Sequence, residues 1–453
     1  MSVAAINDWP WMHWQQRYPQ ATAIDSGDET LNWHQLVERI AGYANGFHLQ
    51  GVKPEMVVAL RSRNGLQALL AWLSLLACGA RVLVLNPQLP DLQLNQLLPG
   101  LGVSFALSID APAVPQTAPL YLETSCGRVH HPWQRDALAT LTLTSGTTGR
   151  AKAAVHTFDA HLHSAAAVIG LMDFTPRDRW LLSLPLFHVS GMGIVWRWLS
   201  AGATLVVEES RDMTAGLARS SFASLVPTQL WRLLNQPTLP SGLRAVLLGG
   251  AAIPAELTRR AEAAGIRCWC GYGLTESAST VCAGRADGSG STGAPLPGQE
   301  LHLVADEIWL RSPTLAQGYW LDGVLQPLTD DDGWLHTGDL GHWHQGKLWI
   351  DGRRDNLFFC GGEAVQPEVI ERVLLAHPAV TQAVVVPQTD SEYGQRPVAL
   401  VAGDIALNQL AGWAAPQLAN YQHPVAWYPL PELAGEGIKP SRHRLQAWLR
   451  DRK

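Results

Sequence analysis

Short β-rich runs alternate with helical stretches through the first 270 residues of this chain, and this alternation constrains the fold more than any other feature. It predicts an α/β fold in which helices cover parallel sheets. The strand candidates are Val57–Leu60, Val82–Leu85, Leu138–Leu143, Trp180–Leu184, Thr204–Val207, Ser224–Val226, Ala245–Leu248 and Arg267–Cys270. The helix candidates are Leu66–Cys78, Phe158–Ile169, Gln229–Leu234 and Ala255–Ala264.

Several of these strands end in clusters of glycine, proline, serine or threonine. Leu-Gly-Gly-Ala ends the run that starts at Ala245, and Gly-Tyr-Gly-Leu-Thr-Glu follows Cys270. Ligand sites in open α/β sheets form outside the carboxyl ends of the strands. We therefore expect five such loops to line one crevice.

Segment 142–152 has the clearest ligand-binding pattern among these loops. It reads Thr-Leu-Thr-Ser-Gly-Thr-Thr-Gly-Arg-Ala-Lys. Glycine lets the backbone approach an anion closely, hydroxyls and amides supply donors, and lysine adds a point charge. A Walker A loop requires Gly-x-x-x-x-Gly-Lys-Ser/Thr, whereas Gly146 and Gly149 are only three positions apart. The segment predicts a phosphate-binding loop outside the Walker class.

The amino-acid composition changes near residue 290, where glycine, proline and tryptophan become frequent. We predict an N-terminal domain over residues 1–354 with a β-rich subdomain at about 290–350, and an α+β domain over 355–453. The predicted elements of the last domain are helices near Pro367–Ala376 and Leu407–Leu418 and strands at Val380–Val386 and Val398–Val401.

Composition excludes several classes of protein. The net charge of −6 gives no electrostatic basis for binding nucleic acid or an anionic membrane. The longest apolar run, Ala68–Ala80, is too short for membrane insertion, and no secretory signal is visible. Six scattered cysteines suggest reduced thiols and a cytoplasmic location. The sequence is compatible with a homo-oligomer.

Six motifs in order now indicate a family. They are Leu143-Thr-Ser-Gly-Thr-Thr-Gly-Arg-Ala-Lys152, Pro185-Leu-Phe-His-Val-Ser-Gly191, Gly271-Tyr-Gly-Leu-Thr-Glu276, Thr337-Gly-Asp-Leu-Gly341, Gly352-Arg-Arg-Asp355 and Gly437-Ile-Lys439. Together they resemble the adenylate-forming superfamily of acyl-CoA synthetases, luciferases and peptide-synthetase adenylation domains. The resemblance covers the whole chain and implies a large N-terminal domain followed by a small mobile C-terminal one. Ala151 departs from the proline usual in the family, which affects loop stiffness and not chemistry.

The resemblance implies that ATP, Mg²⁺ and coenzyme A are used to activate a carboxylate as its adenylate and transfer the acyl group to a thiol. It assigns Thr275 to the α-phosphate, Glu276 to Mg²⁺, and Asp339, supported by Arg353, to the ribose. It assigns the β- and γ-phosphates to Thr144, Ser145, Gly146, Thr147, Thr148, Gly149 and Lys152. The adenine slot is assigned to Gly249, Gly250, Ala251, Gly271, Tyr272 and Gly273, with Tyr272 stacking on the base.

Three further residues take roles from the resemblance. Lys439 is the lysine expected to bridge the carboxylate and the α-phosphate during adenylation. Asp355 is the expected hinge of the C-terminal domain, and His188 is the expected gate between acyl and thiol pockets. Taken singly, Glu276 or His188 has an ordinary structural explanation, as a carboxylate at a helix N-terminus or a packed histidine. The ordered set of motifs favours the functional interpretation.

The acid substrate is suggested by a narrower resemblance and by one arginine. Segments 9–14, 188–199, 224–234, 270–282 and 355–363 resemble the branch that joins 2-succinylbenzoate to coenzyme A in menaquinone biosynthesis. In a helix starting near Gly191, Gly193 and Arg197 share a face, and Ser190 lies one residue before Gly191. A buried guanidinium needs an anion, and the ring carboxylate of this acid would supply it.

Other functions stay open at this point. The chain could ligate another aromatic or medium-chain acid to coenzyme A. A non-catalytic nucleotide-binding protein is disfavoured because six residues expected of the family are intact, namely Lys152, Thr275, Glu276, Asp339, Arg353 and Lys439. A peptide-synthetase adenylation unit is disfavoured because no carrier domain follows on this chain.

Overall fold

A computed structural model describes residues 6–127, 131–144, 152–210, 213–433 and 441–452. Two large sheets, one small antiparallel sheet and one C-terminal sheet organise this part of the chain. No helix within it is long and apolar enough to cross a membrane.

The first sheet has nine strands and is parallel through its centre. Its edges turn antiparallel, where Arg267–Leu274 pairs with Ser279–Arg285 and Thr22–Asp25 pairs with Thr30–Asn32. In spatial order the strands are Ala294–Pro295, Ser279–Arg285, Arg267–Leu274, Ala245–Leu248, Phe222–Leu225, Arg179–Leu181, Thr204–Val206, Thr22–Asp25 and Thr30–Asn32.

The second sheet has eight strands and is also mixed. Leu138–Thr144 and Lys152–Thr157 form an antiparallel pair, so the phosphate-loop segment joins two neighbouring strands. In spatial order the strands are Val324–Gln326, Gly318–Leu321, Lys152–Thr157, Leu138–Thr144, Arg81–Leu85, Val57–Ser62, Val103–Ile109 and Ala118–Leu120.

The largest core lies where these two sheets share covering helices. It contains residues of both sheets and of the helices Leu66–Ala77, Phe158–Met172 and Val189–Ala201. Five fully buried tryptophans fill much of it, namely Trp33, Trp72, Trp180, Trp196 and Trp198. Each buries a large apolar area, so this core fixes the helix Val189–Ala201 firmly against both sheets.

The other helices are spread along the described part of the chain, and Trp11 and Trp33 bring two of them into the same core. They are Pro10–Arg17, Trp33–Leu49, Asp91–Leu97, Thr214–Ala218, Pro227–Leu234, Ala255–Ala263, Pro367–Leu375, Leu407–Ala414 and Arg442–Arg450. Pro367 occupies the first helical position, as proline favours there. Single 3₁₀ turns occur at Pro99–Leu101, Thr275–Ser277, Arg354–Asn356, Ala415–Gln417 and Asn420–Gln422.

One antiparallel sheet and one mixed sheet complete the fold. The third sheet has the order Glu300–Val304, Glu307–Arg311, Leu335–His344 and Lys347–Arg353, within the region predicted to be β-rich. The fourth runs Glu363–Val365, Phe358–Cys360, Gly394–Gly403 and Val380–Asp390, and Ala426–Pro429 pairs with Gly394–Gly403 in parallel. Its strands and helices have hydrophobic clusters of their own. This confirms the α/β class with a small α+β part; the domain boundary at Asp355 stays a prediction.

The structure differs from the sequence predictions in several places, of which three bear on the site or on the C-terminal part. The strand Lys152–Thr157 was missed because its alanines have low strand propensity. Gly271–Leu274, expected as a loop, continues a strand because Ser279–Arg285 pairs with it. The helix that begins at Leu407 ends at Ala414, and Pro416 lies in the 3₁₀ turn that follows.

Candidate active site

The Thr275–Ser277 turn lies at the centre of the site, between the antiparallel strands Arg267–Leu274 and Ser279–Arg285. The backbone carbonyl of Glu276 accepts a hydrogen bond from the N–H of Ala316 at 2.8 Å. Its side-chain Oε1 accepts one from the Tyr319 hydroxyl at 2.7 Å. The turn therefore presents one carboxylate with a restrained orientation.

The turn ends in two residues with unusual backbone conformations. Ala278 has φ of +52° and Ser279 has φ of +124°, values that residues with a side chain rarely adopt. Two buried side chains hold this corner: His156 Nε2 accepts from the Ala278 N–H at 3.2 Å, and Ser164 Oγ donates to the Ala278 carbonyl at 3.0 Å. Such strain persists only where the surroundings enforce it, and it is frequent at active sites.

The predicted ribose site is a connected group of three side chains. Arg353 Nη1 donates to Asp339 Oδ1 at 3.1 Å, and the Tyr272 hydroxyl donates to Asp339 Oδ2 at 2.6 Å. Burial, and then the Asp339 carboxylate, raise the pKa of Tyr272 well above its usual value, so its hydroxyl stays a donor. Asp339 is therefore a carboxylate held by a guanidinium and a phenol hydroxyl.

Two glycines bring neighbouring strand ends close together beside this group. A Cβ on Gly249 would lie 3.4 Å from the carbonyl oxygen of Gly271. Gly250 has φ of +79°, which favours glycine. The structure thus brings together the predicted adenine-slot segments around Gly249 and Gly271; the stacking of Tyr272 on a base stays a prediction.

The phosphate side of the site is described only in part. The Lys152 ammonium lies 3.6 Å from the centre of the Tyr319 ring, and the Thr144 hydroxyl donates to the Lys152 carbonyl at 3.5 Å. Lys152 and Glu276 therefore share Tyr319 as a neighbour. Ser145, Gly146, Thr147, Thr148 and Gly149 lie outside the described residues, and so does Lys439.

Close to the Thr275–Ser277 turn lies a buried arginine, which contacts Ser279. Arg197 is 1% exposed on the helix Val189–Ala201. Its Nη2 donates to Ser279 Oγ at 3.2 Å and its Nη1 donates to Ser224 Oγ at 3.4 Å, and the guanidinium lies 5.2 Å from the Trp180 ring centre. No carboxylate among the described residues pairs with it, and its Nε has no partner there. Burial lowers the pKa of Arg197 to about 9, which leaves it charged at neutral pH.

The neighbours of Arg197 on its own helix bear out the predicted spacing. A Cβ on Gly193 would lie 3.2 Å from Arg197 Nη2 and 3.2 Å from Ser279 Oγ, so a glycine here leaves room beside the guanidinium. His188 precedes this helix, and burial lowers the pKa of its imidazole. Ser190, in the first turn, is partly exposed.

The helix starts at Val189, two residues earlier than predicted.

Sequence reasoning missed four residues of this site: His156, Ser224, Ser279 and Tyr319. Ser279 lies three residues after Glu276, but nothing in the sequence indicates that it contacts Arg197. Tyr319 follows Gly318 in a short strand, without a motif-like signal. Each was missed because its role depends on contacts between distant segments.

The site fits a magnesium ion whose ligands come mainly from the substrate phosphates and from water. In the described ranges, no group of three or more His, Cys, Asp or Glu side chains is arranged so that it could hold a metal ion by itself. Mg²⁺ is typically held by one or two carboxylates together with substrate phosphates and water. Glu276 Oε2 takes no hydrogen bond from the described residues, so this oxygen fits the role of the protein ligand.

The chain matches two family models. The "AMP-binding enzyme" model covers residues 11–320, and the "AMP-binding enzyme C-terminal domain" model covers residues 369–436.

A 2-succinylbenzoate–CoA ligase of Salmonella typhimurium is 54% identical over 451 residues, which cover 98% of this chain and 98% of that protein. Among solved structures, an Escherichia coli MenE variant with bound OSB-AMS has a TM-score of 0.94 at 51% identity and covers 99% of both chains. Bacillus subtilis o-succinylbenzoate coenzyme A synthetase in complex with ATP and magnesium ion has a TM-score of 0.85 at 27% identity, covering 97% of this chain and 99% of that one. The same enzyme with the acyl-adenylate intermediate OSB-AMP has a TM-score of 0.84 at 28% identity and covers 98% of both chains.

Proposed function

The chain belongs to the AMP-binding enzymes, and within them to the 2-succinylbenzoate–CoA ligases, and from this premise we infer its reaction. It is an acid–thiol ligase that uses ATP to join 2-succinylbenzoate to coenzyme A in menaquinone biosynthesis. The products are 2-succinylbenzoyl-CoA, AMP and pyrophosphate. Its co-substrates are ATP and coenzyme A, and it works with Mg²⁺.

The reaction proceeds in two steps. First, a carboxylate oxygen of the acid attacks the α-phosphorus of ATP, a new P–O bond forms, and the bond to the leaving pyrophosphate breaks. Second, the sulfur of coenzyme A attacks the acyl carbon of the adenylate, the thioester forms, the thiol proton is lost, and AMP leaves. Both reactants of the first step are anions, so the site must supply positive charge and hydrogen-bond donors.

For the first step we assign the phosphate and metal contacts to the segment that ends at Lys152 and to the Thr275–Ser277 turn. Lys152 and the hydroxyls of segment 144–148 hold the leaving pyrophosphate, Thr275 holds the α-phosphate, and Glu276 is the protein ligand of Mg²⁺. When bound, the ion neutralises phosphate charge. The contact of Lys152 and Glu276 with one tyrosine supports this assignment, because it keeps the cation and the carboxylate in one place.

Arg197 carries the assignment of the acid. A guanidinium that is 1% exposed and has only serine hydroxyls and a ring face as described partners requires an anion. The ring carboxylate of 2-succinylbenzoate meets that requirement, while the aliphatic carboxylate becomes the thioester. Ser279 contacts Arg197 and lies two residues after the turn that bears Glu276, so in this assignment the acyl pocket and the nucleotide site adjoin at this corner.

The assignment also covers the remaining site residues. Asp339 and Arg353 bind the ribose, and Gly249–Ala251 with Gly271–Gly273 form the adenine slot. Lys439 drives adenylation, His188 gates the thiol pocket, and Asp355 is the hinge. ATP and coenzyme A are cytoplasmic metabolites, which supports a cytoplasmic location; a homo-oligomer stays a prediction.

The test is pyrophosphate release over a panel of acids. The purified chain with ATP and Mg²⁺ is expected to release pyrophosphate with 2-succinylbenzoate and to form the thioester once coenzyme A is added. Benzoate and medium-chain acids, the substrates of the alternative ligases, are expected to react at least ~100-fold less efficiently in kcat/KM, since they leave Arg197 unpaired. Equal efficiency with a monocarboxylic acid would refute the assignment of the acid.

A further inference from the structure

Tyr319 contacts Glu276 and Lys152 of the nucleotide site, although it lies in a different segment of the chain from either of them. It lies on the strand Gly318–Leu321, which pairs antiparallel with Lys152–Thr157. Its hydroxyl donates to Glu276 Oε1 at 2.7 Å, and its ring centre lies 3.6 Å from the Lys152 ammonium. One side chain thus contacts a carboxylate through its hydroxyl and a cation through its ring face.

The backbone around Tyr319 ties the same parts together. The Ala316 N–H donates to the Glu276 carbonyl at 2.8 Å, and the Gln317 N–H donates to the Val155 carbonyl at 2.8 Å. Segment 316–319 therefore holds both the backbone and the side chain of Glu276, and it is itself fixed to the strand that begins with Lys152. The position of the carboxylate is set by this segment as well as by the Thr275–Ser277 turn.

We propose that Tyr319 is a positioning residue for the metal carboxylate and for the phosphate lysine. Its hydroxyl fixes Oε1 of Glu276 and leaves Oε2 free for Mg²⁺, while its ring keeps the Lys152 ammonium on the phosphate side of the site. The proposal rests on the assignment of Glu276 to Mg²⁺ and of Lys152 to the pyrophosphate. Tyr319 touches neither ion nor phosphate in this scheme and acts through the two side chains that do.

The two contacts of Tyr319 can be separated chemically. Phenylalanine removes the hydroxyl and keeps the ring, whereas leucine removes both. Hydrogen-bonding partners of metal-ligating carboxylates typically change metal affinity by about 10-fold or more. A cation over an aromatic ring contributes less, on the order of a few-fold in affinity. The two substitutions therefore predict different patterns of binding.

The experiment measures the affinity of the protein for Mn²⁺, which replaces Mg²⁺. Electron paramagnetic resonance detects the bound ion in the presence of a non-hydrolysable ATP analogue. Tyr319→Phe is expected to bind Mn²⁺ about 10-fold more weakly than the wild type and to bind the metal-free analogue as the wild type does. Tyr319→Leu is expected to lose the same Mn²⁺ affinity and to bind the metal-free analogue about threefold more weakly as well. Tyr121→Phe, the same change at an exposed tyrosine, is expected to match the wild type in both measurements.

If Tyr319→Phe bound Mn²⁺ with wild-type affinity, the proposed role of the hydroxyl would be overturned. If the two variants bound the metal-free ATP analogue equally well, the proposed role of the ring would be overturned. If the leucine variant does not fold, the phenylalanine variant still tests the role of the Tyr319 hydroxyl in Mn²⁺ binding. These are binding measurements on the nucleotide site, so they are independent of the acid. Failure of the wild type to release pyrophosphate with 2-succinylbenzoate would count against the proposed function and not against Tyr319.

Discussion

Among single residues, Arg197 is the one with the most demanding environment. Burying an unpaired charge is costly, and two neutral serine hydroxyls offset only part of that cost. Trp180 adds a ring face, but no residue in the described ranges accepts a hydrogen bond from the guanidinium Nε. A bound carboxylate would accept two parallel hydrogen bonds from this fork. This environment supports the proposal that Arg197 pairs with a second anionic group on the substrate.

Replacing Arg197 should separate substrates by their ring carboxylate. Arg197→Ala is expected to lower kcat/KM for 2-succinylbenzoate by about 100-fold or more, because the substrate's second carboxylate is then buried without a partner. With an analogue that lacks the ring carboxylate, the same substitution should change kcat/KM by less than about 10-fold. Steady-state kinetics with both acids make this measurement.

The controls for this prediction keep the charge or move the change elsewhere. Arg197→Lys retains a cation but loses the bidentate geometry, so its kcat/KM should lie between the wild type and the alanine variant. Arg177→Ala, at an exposed arginine, should leave both substrates unaffected. An equal loss with both acids in Arg197→Ala would show that Arg197 is not the carboxylate receptor.

Among the structural elements, the Thr275–Ser277 turn and the corner that follows it matter most for the site. This corner leads from Glu276 to Ser279, which the proposed assignment gives to the nucleotide site and the acyl pocket, respectively. Its positive φ values at Ala278 and Ser279 store strain, and the buried side chains of His156 and Ser164 satisfy both backbone groups of Ala278. The element depends on these two side chains for its conformation.

Substituting His156 should test that dependence. His156→Leu leaves the Ala278 N–H buried without an acceptor and is expected to lower the free energy of unfolding by about 1–3 kcal/mol. It should also lower kcat/KM for ATP, because the strained corner relaxes. His156→Gln supplies an acceptor near the position of Nε2 and should restore most of both losses. Urea unfolding and steady-state kinetics measure the two effects, and activity in the leucine variant equal to that of the wild type would contradict a link between this corner and the site.

The same histidine predicts a pH dependence of stability. Burial lowers the pKa of His156 from 6.5 to about 4, so the unfolded chain binds a proton that the folded chain does not between these values. Stability should therefore fall as pH decreases from about 6.5 towards 4. His156→Gln does not titrate and should show a shallower decrease in this window. Urea midpoints at pH 7 and pH 5 compare the two proteins, and parallel decreases would contradict the assignment.

In the molecule as a whole, the Glu368 carboxylate is one link between the C-terminal part and the predicted hinge. Asn356, in the turn beside Asp355, donates to Glu368, and Arg442 pairs with Glu368 and Glu371. Arg442 begins the final helix, three residues after Lys439 in the sequence. The hinge and the segment that follows Lys439 are therefore fixed to the same helix, Pro367–Leu375. A movement at the hinge would carry this helix and the final helix together.

We expect Lys439 to serve only the first of the two steps. Lys439→Ala should reduce adenylate formation by about 100-fold or more, because a cation that bridges the carboxylate and the α-phosphate is lost from the transition state. The same variant should still transfer a pre-formed 2-succinylbenzoyl adenylate to coenzyme A at a rate close to that of the wild type. Pyrophosphate release and thioester formation, measured separately, distinguish the two steps.

The matched control is Lys53→Ala, which removes an exposed lysine before the strand Val57–Ser62 and should leave both steps unchanged. Equal losses in both steps for Lys439→Ala would contradict the division of labour between them.

Much of the fold could be predicted because periodicity is a local property. The helices near Leu66, Ala255 and Pro367 and the strands at Val57 and Ala245 were predicted to within a few residues, since each carries its own hydrophobic pattern and boundary signals. The antiparallel pairing of Lys152–Thr157 was not predicted, because pairing depends on a partner strand. The extension of Arg267–Leu274 was missed for the same reason.

Ordered motifs alone identified the adenylating chemistry, since each motif's glycines, hydroxyls and charges have a local task at phosphate or ribose. The spacing of Gly193 and Arg197 could likewise be read directly, because a helix places residues four apart on one face. Local patterns could not predict three sets of contacts. They are those of Ser224 and Ser279 with Arg197, of His156 with Ala278, and of Tyr319 with Glu276 and Lys152. They join segments from both large sheets, and what brings them together is long-range packing around the shared core, which no local pattern encodes.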